Sequence, residues 1–297
     1  MCFSRLLFFF FFFFCFILIQ AVTPTVAQHV CYQSGNYTSN STYGENLNTL
    51  LASMSSNTEL DYGFYNFSAG ENPDKVNAIA LCRGDISPEE CRSCVNTTSH
   101  DLLHKWCPNQ KEAVVWNEGT CMIRYSNRDI FGVMESQPSF TVYAVQNASD
   151  LERFNQTLRP LLDGLRNRAA AGNSTRKFAV GSATAPYYQT IYALVECTPD
   201  LDELECNNCL LATVDLIRFG MVGGRYGTPS CDLRYEIFEF YDLTLEATPL
   251  PPLPPPPPQA SPPPILLPPP TEGIYIYIWY RYYQFSKINQ NNCFRNF

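Results

Sequence analysis

The sequence predicts an α+β fold made of two tandem modules, each stapled by disulfides. Three observations carry that reading. The cysteine pattern C-x8-C-x2-C occurs at Cys82, Cys91 and Cys94 and again 115 residues later at Cys197, Cys206 and Cys209. A second shared stretch, Cys121-Met122-Ile123-Arg124-Tyr125, returns as Cys231-Asp232-Leu233-Arg234-Tyr235 at an offset of 110. Helix-spaced apolar residues also precede the pattern in both halves, as a genuine repeat requires.

The chain opens with Arg5, an apolar run from Leu6 to Ile19, and the small-residue site Thr25-Val26-Ala27. That order reads as a secretory signal peptide over residues 1–27, with a signal anchor as the alternative. In an oxidising compartment the 13 cysteines take a structural meaning. Cys2 and Cys15 leave with the leader and Cys293 lies far out in the tail, so ten remain, an even number. Seven Asn-x-Ser/Thr acceptors fit the same route: Asn36, Asn40, Asn66, Asn96, Asn147, Asn155 and Asn173. The net charge of −8 argues against nucleic acid or an anionic membrane as the main partner.

Module 1 covers residues 28–136 and module 2 residues 137–247. In the first, Leu47, Leu50, Leu51 and Met54 have the i, i+3, i+4, i+7 spacing of a buried helix face; Leu158, Leu161, Leu162 and Leu165 repeat it in the second. Ser87-Pro88-Glu89-Glu90 reads as a helix start, with Ser as N-cap, Pro in the first turn and Glu closing a capping box. Asp202 and Glu205 stand at the matching places. The five residues by which the two offsets differ fall between the third and fourth cysteines, where a loop absorbs them.

The repeat constrains the pairing of the cysteines. Module 2 must bridge its four internally or leave thiols free, and the counterparts in module 1 pair the same way. Cys31 and Cys107 are then left for each other, and module 2 lacks both, as the loss of one bridge would leave it. Cys91 and Cys94 lie on one helical face, and Cys82 precedes the cap, which favours Cys82–Cys91 and leaves Cys94 for the strand of Cys121. Such bridges each contribute about 3 to 4 kcal/mol. The residues between the cysteines are expected to be solvent-facing loop and cap. Two sharper readings of Cys-x-x-Cys compete. A redox dithiol needs the vicinal pair as nucleophile and resolving thiol, yet neither pair follows a strand in a parallel βαβ pattern. A zinc site would recruit Cys91, Cys94, His100 and His104, but the sister module has no histidine. No metal, cofactor or catalytic residue is therefore expected.

C-x8-C-x2-C followed by Cys-x-[Ile/Leu]-Arg-Tyr resembles the ginkbilobin-homologous, cysteine-rich repeat domain of plants. That domain occurs in cysteine-rich receptor-like kinases and in secreted cysteine-rich repeat proteins. The resemblance covers about residues 28–247 and extends to NLNTLLASM, KFAVGSA, YALVECTPDL and PSCDLRYEIFEFY. It implies, for each module, a five-stranded antiparallel sheet packed against two helices. It also implies the bridges Cys31–Cys107, Cys82–Cys91, Cys94–Cys121, Cys197–Cys206 and Cys209–Cys231.

Some members of the family bind mannose through an Asn after the first cysteine, an Arg six residues before the last and a Glu five after it. Sugar hydroxyls suit such a set, accepting from Arg and Asn and donating to the carboxylate. Module 1 holds Tyr32, Val115 and Ser126 there, so no such site is expected in it. Module 2 holds Arg225 and Glu236, with Asn147 as the nearest third candidate, although it lies in a sequon. The plain alternative is an exposed Arg225–Glu236 ion pair across neighbouring strands.

Residues 248–273 form a proline-rich spacer, and residues 274–297 an aromatic tail whose apolar part is too short to span a bilayer. The tail reads as a truncated or mis-spliced end of a receptor-like gene, or as a secreted isoform. No glycine-rich phosphate loop or catalytic-loop motif follows; Asn127-Arg128-Asp129 only superficially resembles one and sits in module 1. The expected function is non-catalytic recognition in the apoplast, or at the plasma membrane if a longer receptor form exists, in stress or defence signalling. A glycan of the mannose type or an extracellular protein is the expected partner. A mannose-binding antifungal lectin and a thiol-disulfide protein are the alternatives.

Overall fold

The computed structural model describes residues 27–58, 62–185, 187 and 189–242; the expected spacer and aromatic tail lie outside them, as does the expected signal peptide except for Ala27. Helix α1 (Thr42–Ser56) opens on Ser41, whose Oγ accepts from Gly44 N–H at 3.2 Å. Its buried face is Leu47, Leu50, Leu51 and Met54, the set that the apolar spacing marks, together with Tyr43. Helix α2 (Pro88–Asp101) starts where the capping box places it. Ser87 Oγ accepts from Glu90 N–H at 3.3 Å, and the Glu90 carboxylate accepts from Ser87 N–H at 3.1 Å. Those hydrogen bonds to Ser87 hold the Glu90 carboxyl below its usual range. A π-helical turn, Leu102–Trp106, prolongs α2 and delivers Cys107.

Five strands accompany these helices: β1 (Gln28–Cys31), β2 (Phe64–Ala69), β3 (Val76–Cys82), β4 (Ala113–Asn117) and β5 (Cys121–Ser126). They form an antiparallel sheet in the order β1-β4-β5-β3-β2. The second module repeats the plan with β6 (Phe140–Tyr143), α3 (Leu151–Ala170), β7 (Lys177–Thr184), β8 (Thr190–Cys197), α4 (Glu203–Asp215), β9 (Gly224–Gly227) and β10 (Cys231–Glu236). Its sheet order, β6-β9-β10-β8-β7, matches that of the first. Asp202 caps α4 by accepting from Glu205 N–H at 2.7 Å.

Five disulfides join Cys31 to Cys107, Cys82 to Cys91, Cys94 to Cys121, Cys197 to Cys206 and Cys209 to Cys231. Each Cys-x-x-Cys is thus divided between two bridges. Cys82 lies directly opposite Cys121 in the β3–β5 register, and Cys197 opposite Cys231 in β8–β10. Residues three apart on a helix are separated by about 4.5 Å along its axis. Paired strand positions are separated by about 4.5 to 5.5 Å. The x2 spacing therefore lets one helical face meet two neighbouring strands.

Each sheet has two covered faces. Helices and bridges cover one; in module 1 the other holds Phe64, Ile79, Leu81, Val114, Trp116 and Met122 beneath Ile130, Phe131 and Phe140. In module 2 it holds Val180 and Leu194 beneath Phe240 and Tyr241. Burial on both faces explains why β3 and β5 do not alternate apolar with polar residues, and their polar members Asn77 and Arg124 are buried and hydrogen-bonded.

The residues between the cysteines are not all solvent-facing, contrary to expectation. Arg83, Gly84 and Asp85 enter the second module. Gly84 N–H donates to Glu196 Oε2 at 3.2 Å, and its carbonyl accepts from Arg176 at 2.9 Å. Arg83 pairs with Asp85 and donates to the Phe240 carbonyl at 3.3 Å, while Asp85 accepts from Asp242 N–H at 3.1 Å. A Cβ on Gly84 would lie 2.5 Å from the Phe178 ring, so only glycine fits this approach. Leu81 to Cys82 still end a strand and Ser87 still caps a helix; what sequence spacing cannot show is the opposing surface between them.

Two stability outcomes follow. Ser87→Ala should cost about 1 kcal/mol in urea unfolding, because the first turn of α2 loses its cap. Cys209→Ala with Cys231→Ala should cost about 3 kcal/mol, the chain-entropy value for a loop of this length.

Candidate functional site at the module seam

The seam is built by the β4–β5 turn of module 1 and the β9–β10 hairpin of module 2. Glu118 and Gly119 take left-handed backbone angles, φ 48° and φ 80°, to make the first turn. A Cβ on Gly119 would lie 3.3 Å from the Arg225 guanidinium, so glycine admits that close contact. Trp116 crosses the seam, donating its indole N–H to the Thr228 carbonyl at 3.0 Å and packing on Phe140 with ring centroids 5.0 Å apart. Arg124 donates to the Pro229 carbonyl at 3.4 Å, and Ser230 Oγ accepts from Glu135 N–H at 2.9 Å. Arg128 holds that connecting segment by pairing with both Glu112 and Glu135.

A cleft of about 390 Å³ opens along this seam. Gln28, Trp116 and Glu118 line it from module 1; Tyr143, Arg225, Arg234 and Glu236 line it from module 2. Register sets its electrostatics. Arg225 and Arg234 lie directly opposite each other on β9 and β10, a like-charge pair that each must offset. Arg225 does so with Asp232, donating from Nε at 3.1 Å and from Nη2 at 2.8 Å. Arg234 does so with Glu236 at 3.1 Å. Arg225 and Glu236 therefore share the cleft but do not pair with each other, which corrects the plain reading of them as one ion pair.

Asn147 is exposed and makes an isolated bridge with Met221, which precedes β9. It does not line the cleft. Cys31 pairs with Ala113, which faces Tyr125; Tyr143 pairs with Gly224, which faces Tyr235. Tyr143 thus takes the place of Cys31, and Ala144, a cleft residue without side-chain hydrogen-bonding groups, takes the place of Tyr32. The same register puts Val114, not Val115, opposite Arg124 as Arg225 lies opposite Arg234. The β4–β5 turn is one residue longer than the β9–β10 turn, so counting back from the cysteine moves one place off. Among the described residues no group of three or more His, Cys, Asp or Glu could hold a metal ion. His100 and His104 stack on each other at 4.5 Å, while Cys91 and Cys94 are committed to their bridges.

Behind the cleft lies a buried acidic pair. Glu196 faces Asp232 across β8 and β10. Burial, with Asp232 as the second cause, pushes the Glu196 carboxyl up to about 8. A charged residue in the apolar run Tyr192-Ala193-Leu194-Val195-Glu196-Cys197 was the sequence signal for this residue, because such a carboxylate is almost never buried without a purpose. Of the sequons, Asn36, Asn40, Asn66, Asn96, Asn147 and Asn173 are exposed and Asn155 is half-buried on α3.

Comparison with known proteins agrees with this architecture. The salt stress response/antifungal family model matches residues 30–128 and 142–237, one match in each module. Cysteine-rich receptor-like protein kinase 25 of Arabidopsis thaliana is 41% identical over 249 residues, which cover 80% of this chain and 36% of that protein. Cysteine-rich receptor-like protein kinase 29 of the same plant is 41% identical over 228 residues, covering 75% and 33%. The chain thus spans about a third of the length of the curated relatives it matches. Among solved structures, the tandem DUF26 ectodomain of the Arabidopsis thaliana cysteine-rich receptor-like protein PDLP8 superposes with a TM-score of 0.61 at 20% identity, covering 71% of this chain and 96% of that one. The corresponding ectodomain of PDLP5 gives a TM-score of 0.59 at 22% identity, covering 72% and 100%. No helix of the described residues is long and apolar enough to cross a membrane. Two matched modules, their shared sheet order and five bridges lead to one conclusion: the chain belongs to the salt stress response/antifungal family, as a tandem ectodomain like those of cysteine-rich receptor-like kinases.

Proposed function

We propose that this chain is a non-catalytic extracellular recognition protein, acting in stress or defence signalling through the cleft at its module seam. The observation that carries the reading is the cleft itself. It draws side chains of both signs and three aromatic rings from two modules, and it is open enough to admit a ligand. The ten module cysteines are all bridged, and each Cys-x-x-Cys is split between partners, which supports a structural role for them over a redox one. The kinase names belong to relatives more than twice as long, of which this chain matches about a third.

A mannose-binding lectin is the second reading, favoured by Arg225 and Glu236 lining one cleft. Against it stands Ala144, which takes the place where the sugar-binding set needs an amide. Arg225 is also already engaged on both sides, by Asp232 and by the Phe140 ring at 5.1 Å.

The test is an array of plant and fungal cell-wall glycans together with a panel of plant extracellular domains. Each is probed with the secreted protein and with the Arg225→Ala, Glu236→Ala double variant. The reading expects a binder whose affinity falls at least about tenfold in the double variant, the scale of one lost charged contact. Binding that survives both substitutions would exclude the cleft. A signal confined to mannans and lost with Arg225 would favour the lectin.

A further inference from the structure

Three carboxyl groups and two guanidinium groups meet where the modules join. Arg83 is taken by Asp85 in module 1, and Arg225 by Asp232 in module 2. Glu196, 7% exposed, faces Asp232 directly across the strand pair, and the contact it receives from the other module is the neutral Gly84 N–H. The remaining cations nearby are committed elsewhere: Arg176 to the Gly84 carbonyl and the Phe178 ring, and Arg234 to Glu236 and the Phe240 ring. Among the described residues no cation pairs with Glu196. Of two desolvated carboxyls opposite each other, the one without a guanidinium partner does not ionise at low cost.

We propose that Glu196 stays protonated where it faces Asp232 and that this proton makes the module seam a pH-sensitive latch. With the proton in place, the chamber is neutral and Gly84 seats against Glu196 and Phe178. When the proton leaves to water, an unpaired negative charge stands in a closed space facing Asp232. The charge is relieved by admitting water, which means withdrawing the Arg83–Asp85 loop. The latch itself does not depend on what the cleft binds.

The sign follows from the raised carboxyl. The fold favours the neutral form, so the contribution is whole below the ordinary value of 4.5 and is lost as the pH rises through about 8. The folded domain should therefore weaken towards alkaline pH through this one group.

The test uses the secreted protein with its glutamates labelled, read by carbon NMR, and its Glu196→Gln variant, in which an amide stands for the protonated acid. Glu196 should titrate between about pH 7 and 9. The unfolding constant of wild type, divided by that of Glu196→Gln, should rise by roughly two to three orders of magnitude from pH 4.5 to pH 8.5. Small-angle scattering should show wild type, but not the variant, expanding above pH 8. Titration of Glu196 near pH 4 to 5 would overturn the proposal, as would a flat ratio of unfolding constants. Titration near 8 with unchanged scattering would overturn the latch. If Glu196→Gln does not fold, Asp232→Asn replaces it. Removing the facing charge should then lower the Glu196 midpoint, and an unmoved midpoint would overturn the proposal.

Discussion

The constraint on which the structure rests is a match of lengths. One turn of α2 or α4 presents two cysteines about 4.5 Å apart along the helix, and two adjacent strands present their partners at nearly the same separation. Cys82 beside Cys121, and Cys197 beside Cys231, are where that match is made. With one residue fewer between Cys91 and Cys94, the second cysteine would leave the helical face that meets the sheet. The C-x2-C spacing is therefore kept in both modules. The x8 spacing follows, because Cys82 must leave β3, turn and rejoin the first turn of the helix at Cys91.

That turn is what joins the modules. A loop closed at both ends by a disulfide and by a helix cap has few conformations to lose, so its backbone is a rigid plug. Gly84 offers both of its backbone polar groups to module 2, and its missing side chain leaves room for the Phe178 ring. The equivalent loop of module 2, Thr198 to Asp202, plays a lesser part. Its Asp200 accepts from Gly132 N–H at 2.8 Å, in the segment that connects the modules. The two halves thus share one fold and use the same loop differently, which is where sequence divergence between repeats acquires a role.

Much of the fold was legible in the sequence because it is written in local, periodic signals. The helix face of Leu47, Leu50, Leu51 and Met54, the capping residues Ser87 and Asp202, and the repeat itself depend on near neighbours or on counting. The seam depends on neither. Nothing local marks Asp232 as the partner of Arg225, since it occupies the place of Met122 in the other module. Glu236, at the expected place, turned instead to Arg234. Counting from cysteines also placed Asn147 near a site that register assigns to Ala144, because strand register responds to turn length and side-chain packing. Glu196, a charge set in an apolar strand, carried a local signal, but counting along the repeat passed over it.

The central claim is that the Cys82–Cys91 loop locks the modules through Gly84, and hydrogen exchange at the Gly84 amide tests it most directly. If the loop is a lock, that amide opens only with the seam, and its protection approaches that of the Ile79 and Leu194 amides in the core strands β3 and β8. Exchange of Gly84 at the rate of an exposed turn, while β3 and β8 stay protected, would contradict the account.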